Sequence, residues 1–189
     1  MVKYDYFETL EQLATLAESA VRLSCGASAA SEGGTVPDLR RACDRLICEL
    51  EDTLFSDFLP PLERDNIAAC AHSLSRVVDR ASELLCNEAF LTLSGKQNEE
   101  GRICVRLAEE LKNAIALLRR IRKPSESPNV QGYRKLVAEG RCAHTNMLTR
   151  LHTGVLPRSA AQGIILTGKL RAELSHCFDE LVEIMLNNI

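Results

Sequence analysis

The sequence predicts an all-α protein: two pseudo-symmetric three-helix bundles of long antiparallel helices, six helices in total. Three observations predict it. Apolar residues recur at i, i+3, i+4 and i+7 through six long stretches, the spacing of a helix with one buried face. Leu, Ala, Glu and Arg dominate, while aromatic residues make up 4% of the chain and Trp is absent, a composition suited to helices rather than to sheets. The third observation is an echo. Leu74-Ser75-Arg76-Val77-Val78-Asp79 returns one hundred residues later as Leu174-Ser175-His176-Cys177-Phe178-Asp179. Residues 1–189 thus read as a single unit, with halves 4–93 and 97–189.

The first helix is expected from Tyr4 to Leu23, with Phe7, Leu10, Leu13, Ala14, Ala17, Ala20 and Val21 on one stripe. Cys25-Gly26 ends it, and a small polar loop over residues 27–35 follows. Pro37 and Asp38 open the second helix, where a missing N–H and a negative charge are both favourable. Its stripe is Leu39, Cys43, Leu46, Ile47, Leu50 and Leu54. Pro60-Pro61 stops that helix and opens the third, with Glu63 and Asp65 in its first turn and Ile67, Cys70, Ala71, Leu74, Val78, Ala81 and Leu85 facing inward. This helix fades after Phe90.

Ser94-Gly95-Lys96 marks the midpoint. The fourth helix carries Ile103, Leu107, Leu111, Ala114, Leu118 and Ile121, and the segment from Pro124 to Pro128 breaks the chain after it. The fifth is expected over Val130–Leu151 and the sixth over Ser159–Leu186, with Gly154 and Pro157 punctuating the turn between them.

Composition excludes several function classes. A formal charge of −3 argues against a nucleic-acid surface. The N-terminus lacks the basic start and apolar core of a signal peptide, and the longest apolar runs are too short to span a bilayer. The eight Cys are therefore expected as reduced thiols in a cytoplasm. No CxxC spacing occurs, and Cys70 with His72, like Cys142 with His144, are two apart and so fall on opposing helix faces. Buried thiols acting as small hydrophobes are the expected outcome.

No glycine-rich phosphate loop, nucleophile elbow or His-Glu-x-x-His motif is present, and the chain is expected not to be an enzyme. His176, three from Asp179 and four from Glu180, reads as a solvated helix pair, and Glu49, Glu51 and Asp52 read as a solvated face. Arg119, Arg120, Arg122 and Lys123 close the fourth helix. They complement its negative C-terminal dipole or, alternatively, form an interaction patch for anionic headgroups or an acidic transporter loop.

The opening Tyr4-Asp5-Tyr6-Phe7-Glu8, the second-helix pattern ending at Asp44, the turn from Phe58 to Ile67, and the run from Leu74 to Asp79 resemble the PhoU-like phosphate-transport accessory family. This is the domain-of-unknown-function 47 group of bacterial Pit accessory proteins. Leu136-Val137-Ala138-Glu139-Gly140-Arg141 is similar to that family's acidic segment, and the closing helix with Asn187-Asn188 also fits. The resemblance implies two three-helix bundles related by a pseudo-twofold and, in the family, acid-x-x-x-Asp pairs on helices two, three, five and six. Such pairs lie on one helix face and can ring a hard cation or iron cluster with oxygens.

Carried over one by one, these positions become Arg40 and Asp44, Ser75 and Asp79, and Val137 and Arg141. On the sixth helix they become either Arg171 and Ser175 or Gly168 and Ala172. Of eight ligand positions only Asp44 and Asp79 remain acidic, and the guanidinium of Arg40 repels a cation and can pair with an aspartate instead. No metal and no cofactor are therefore expected, with Asp44 and Asp79 as remnants of a degenerate site.

What the resemblance implies for function is a non-catalytic accessory or regulatory protein of inorganic phosphate transport. It would dock on a Pit-type phosphate permease from the cytoplasm, at the inner face of the membrane. No nucleic-acid partner is expected, and contact with the membrane would be peripheral at most. A homodimer or higher homo-oligomer is expected, because modest three-helix units leave apolar surface to cover. The alternatives are a metal-binding PhoU-like regulator, separable by metal analysis, and a helical enzyme of unrecognised type, separable by the genomic neighbour.

Overall fold

A computed structural model describes residues 4–25, 36–58, 60–85, 98–120 and 127–188. Six α-helices account for most of them: α1 (Tyr6–Ser24), α2 (Val36–Ser56), α3 (Arg64–Leu85), α4 (Glu99–Leu117), α5 (Val130–His152) and α6 (Ala161–Asn187). No strand occurs among the described residues. The loop over residues 27–35, the fading end of the third predicted helix and the Ser94-Gly95-Lys96 midpoint lie outside them.

Side-chain caps set three of the helix starts. The Asp5 carboxylate accepts from the N–H groups of Phe7 and Glu8, both at 3.1 Å, and fixes the entry to α1 two residues later than the apolar stripe alone suggested. Asn98 and Asn129 accept from the N–H of Gly101 and Gly132, each at 3.0 Å, and start α4 and α5.

Pro60-Pro61 precede α3 instead of opening it. Leu62 is buried, and Arg64, the first residue of α3, reaches back so that its Nε donates to the Leu54 carbonyl at 3.0 Å and a second nitrogen donates to that of Asp57. The turn thereby satisfies carbonyls that the end of α2 leaves open. The fourth predicted helix also stops early: α4 tightens into a 3₁₀ turn at Leu118–Arg120.

α1, α3, α6 and α4 close a ring of packed helices. α2 leans on α1 and α3, and α5 leans on α4 and α6. Each set of three therefore packs among itself, and the halves join along α1–α4 and α3–α6. Leu13, Leu50, Leu74, Leu84, Leu107, Leu170 and Leu174 are fully buried, each stabilising the bundle by about 1.5–3 kcal/mol relative to exposure.

Ion pairs edge both seams. Between α1 and α4, Lys112 meets Glu18 at 2.7 Å and Arg22 meets Glu109. Between α3 and α6, Arg76 meets Glu173 at 2.7 Å and Ser73 hydrogen-bonds Glu180. No described helix is long and apolar enough to cross a membrane.

Candidate functional site

The positions that the family resemblance singles out fall in two grooves, one per half, on the sides where α2 meets α3 and α5 meets α6. In the first groove the Arg40 guanidinium stands 3.0 Å from an Asp79 carboxylate oxygen, both side chains roughly half exposed. Cys43 lies beneath, 1% exposed, with Ser75 in hydrogen-bond reach. Burial pushes the Cys43 thiol up, against the Ser75 hydrogen bond that pulls it down, and the nearby Asp44 and Asp79 charges push it further up. A protonated thiol is a poor ligand for a metal.

The second groove, about 360 Å³, is lined by Tyr133, Arg134, Val137, Arg141, Ser175 and Asp179. Val137 is buried at its base. Arg134 approaches Asp179 to 4.0 Å, so this groove too sets a guanidinium against its aspartate. Tyr133 stacks on Phe178 with ring centroids 3.7 Å apart and donates its hydroxyl hydrogen to the Leu174 carbonyl at 2.9 Å, which locks the α5–α6 contact.

The register on α6 needs correction. Neither pairing drawn from the sequence, Arg171 with Ser175 or Gly168 with Ala172, faces Val137 and Arg141. Ser175 and Asp179 do. The echo already aligned Asp79 with Asp179, and that signal was enough to find the third carboxylate.

Gly168 instead packs on His144, and Arg171 turns inward. There a buried cluster lies that sequence reasoning missed. Glu100, in the first turn of α4, is fully buried. One of its oxygens sits 2.9 Å from Arg171 Nε and the other 2.8 Å from His144 Nδ1. Glu100 was hidden because an acid in a first helical turn reads as a dipole partner. The available signal was the pair of small residues opposite it. A Cβ on Gly140 would lie 2.5 Å from Arg171 Cδ, and one on Gly168 would lie 2.7 Å from His144 Cε1. The glycines are the space that the two long side chains occupy.

Arg119, from the predicted basic patch, is held within the molecule. It meets Asp5 at 2.7 Å and Glu11 at 3.2 Å and lies over the Phe7 ring at 5.8 Å. Its charge thus clamps the end of α4 to the start of α1. Arg120 is exposed on the next residue of the 3₁₀ turn, and Arg122 and Lys123 lie outside the described residues.

His176 pairs with Glu180 at 3.2 Å while mostly exposed, and Glu51 pairs with His72 at 3.1 Å. Cys70 is buried while His72 is exposed, and Cys142 is exposed while His144 turns inward, so neither Cys–His pair converges. Among the described residues no group of three or more His, Cys, Asp or Glu is arranged to hold a metal ion.

Two solved structures share this architecture. A PhoU-like protein from Shewanella oneidensis MR-1 superposes with a TM-score of 0.68 at 12% identity, covering 97% of this chain and all of its own. A second protein from the same organism, provisionally named a PhoU-like phosphate regulatory protein, gives 0.65 at 10% identity over 96% of both chains. No family model matches the sequence, and no curated protein does. The chain therefore has the PhoU-like fold, on a sequence only 12% and 10% identical to these two neighbours.

Proposed function

We propose that this chain is a non-catalytic accessory or regulatory protein of inorganic phosphate transport that docks on a Pit-type permease through its helix faces. The fold and the phosphate-regulatory name of one structural neighbour support the phosphate connection. The observation that carries the mode of action is the Arg40–Asp79 pair. With Asp79 engaged by a guanidinium, Asp44 alone offers a free carboxylate in this groove, fewer oxygens than a divalent cation needs. Regulation then acts through surface contact, without a resident metal.

Phe55 and Phe58 give that contact a physical handle. They stand 90% and 87% exposed, three residues apart beside the Pro60-Pro61 turn, and offer a partner two aromatic rings. The expected partner surface is an apolar pocket at the cytoplasmic side of the permease.

Affinity capture from a membrane fraction tests this, with the permease scored by mass spectrometry. The wild-type chain is expected to retain it, and Phe55→Ala with Phe58→Ala to lower the yield several-fold while the fold survives, since neither ring is in the core. A permease that never co-purifies, under conditions where it is solubilised intact, overturns the docking.

A further inference from the structure

The two halves share a packing plan but not a charge. Residues 1–93 hold sixteen Asp and Glu against eight Lys and Arg; residues 97–189 hold ten against fourteen. The contrast is concentrated in two grooves of equal size at matching places. Between α1 and α2 lies one of about 670 Å³ whose charged lining is Glu8, Glu11, Glu49 and Arg45. Its counterpart between α4 and α5, about 680 Å³, is lined by Arg102, Arg106 and Lys135, with Glu99 and Glu139 also present.

Many cations in the rest of the molecule are spoken for, although Arg45, Arg141, Arg150, Arg158 and Lys169 join no ion pair among the described residues. Arg22, Arg40, Arg76, Arg80, Lys112 and Arg171 each meet a carboxylate. Arg102, Arg106 and Lys135 form no ion pair among the described residues, although two carboxylates line the same groove. Arg102 and Arg106 are one turn apart on α4, so their guanidinium groups emerge side by side. Lys135 comes from α5 across the groove. Asn146 adds an uncharged polar group, and Ile103 and Ala143 give the groove an apolar floor.

We propose that the α4–α5 groove binds the phosphate groups of an anionic ligand, with Arg102 and Arg106 as planar forks and Lys135 as the opposing point charge. Two guanidinium groups offer paired N–H donors matched to the spacing of phosphate oxygens, and an ammonium from the far wall closes on the remaining oxygen. At about 680 Å³ the groove is larger than one phosphate needs, which favours a ligand with two or more phosphates or with a phosphate on a larger body. Glu99, three residues before Arg102, and Glu139, four after Lys135, share those helix faces and oppose an anion, but the three cations leave the lining with one net positive charge. The positive balance of the whole second half adds attraction at a distance, and this falls with salt. The proposal stands on the groove's chemistry and not on docking to a permease, so either can fail alone.

Calorimetry on the full chain with inorganic phosphate and pyrophosphate, alongside flotation with phosphatidylglycerol vesicles, tests it. Saturable pyrophosphate binding is expected, weakened at least about tenfold by Arg106→Glu with Lys135→Glu and unchanged by Arg45→Glu in the matching α1–α2 groove. Arg106→Gln with Lys135→Gln provides a milder pair should the reversal disturb folding; it should weaken binding in the same direction. If only vesicle binding responds to these variants, the phosphate is that of a lipid headgroup. Binding that is absent in every arm, or indifferent to both double variants, overturns the proposal.

Discussion

Where α3 places Ala71, α6 places Arg171, one hundred residues further on and three residues before the echoed leucine in each helix. Ala71 is 1% exposed in an apolar setting shared with Ile67, Cys70 and Leu74. Arg171, also largely enclosed, reaches the buried Glu100, which His144 meets from the other side. One packing plan thus accepts two solutions, a plain hydrophobic contact or a closed charge cluster. The second is the more fragile, because its members are costly to bury and only their mutual pairing offsets that cost. Truncation at Ala71 removes only a methyl group, whereas loss of one partner in the second half leaves an enclosed charge unpaired.

The largest expected effect follows from that contrast. Glu100→Ala leaves Arg171 enclosed without its carboxylate and should lower unfolding stability by about 3–5 kcal/mol in urea titrations. Replacing all three members by apolar residues (Glu100→Leu, His144→Leu, Arg171→Met) should recover most of it. If the single variant loses under about 1 kcal/mol, the cluster is not what holds α4, α5 and α6 together.

Gly140→Ala comes next. In an unobstructed helix this change stabilises by up to about 1 kcal/mol. Here the new methyl would lie 2.5 Å from Arg171 Cδ and 3.3 Å from Ile103 Cγ2, so a loss of about 1–3 kcal/mol is expected instead. A rise in melting temperature would show that Arg171 moves aside freely.

The α1–α4 seam supplies a smaller, pH-dependent effect. Burial raises the Glu18 carboxyl, but hydrogen bonds from Lys112 and Arg22 outweigh it and hold the pKa below its ordinary 4.5. The fold therefore favours the charged form. The stabilisation is complete above pH 4.5 and drains away as pH falls through the lowered value. Glu18→Gln should cost about 0.5–1 kcal/mol at pH 7 and nothing once both forms are neutral, so its urea midpoint converges with that of the wild type in acid. A constant gap at all pH values would contradict the ion-pair origin.

The smallest perturbation is chemical labelling. Burial pushes Cys70 up to about 12 and Cys177 well above its ordinary value, whereas Cys48 and Cys142 are exposed. Maleimide followed by peptide mapping should mark Cys48 and Cys142 in the folded protein and reach Cys70 and Cys177 only on unfolding. Early labelling of Cys177 would mean that the second half opens locally.

The helices were legible in the sequence because their apolar stripes mark the buried faces: Leu74 and Leu174 are both fully buried, one on α3 and one on α6. Helix ends were less legible. The Pro60-Pro61 turn looks like a helix start, yet the interaction that sets it is Arg64 reaching back to the Leu54 carbonyl, ten residues away in sequence. The grooves were partly legible. Arg40 and Asp79 were brought together by the family resemblance, whereas α6 was misregistered because Arg171 and Ser175 keep the same i,i+4 pattern as Ser175 and Asp179. The buried cluster was not legible from Glu100 alone, since three helices have to meet before its partners converge.

The central proposal is that the Arg40–Asp79 and Arg134–Asp179 pairs leave these grooves too few free carboxylate oxygens to hold a cation. Elemental analysis of the protein, purified without chelators and then dialysed against iron, zinc and manganese salts, tests it most directly. Far less than one equivalent of any of them per chain is the result the ion pairs predict. A stoichiometric ion that is lost on Asp44→Asn with Asp79→Asn would contradict it.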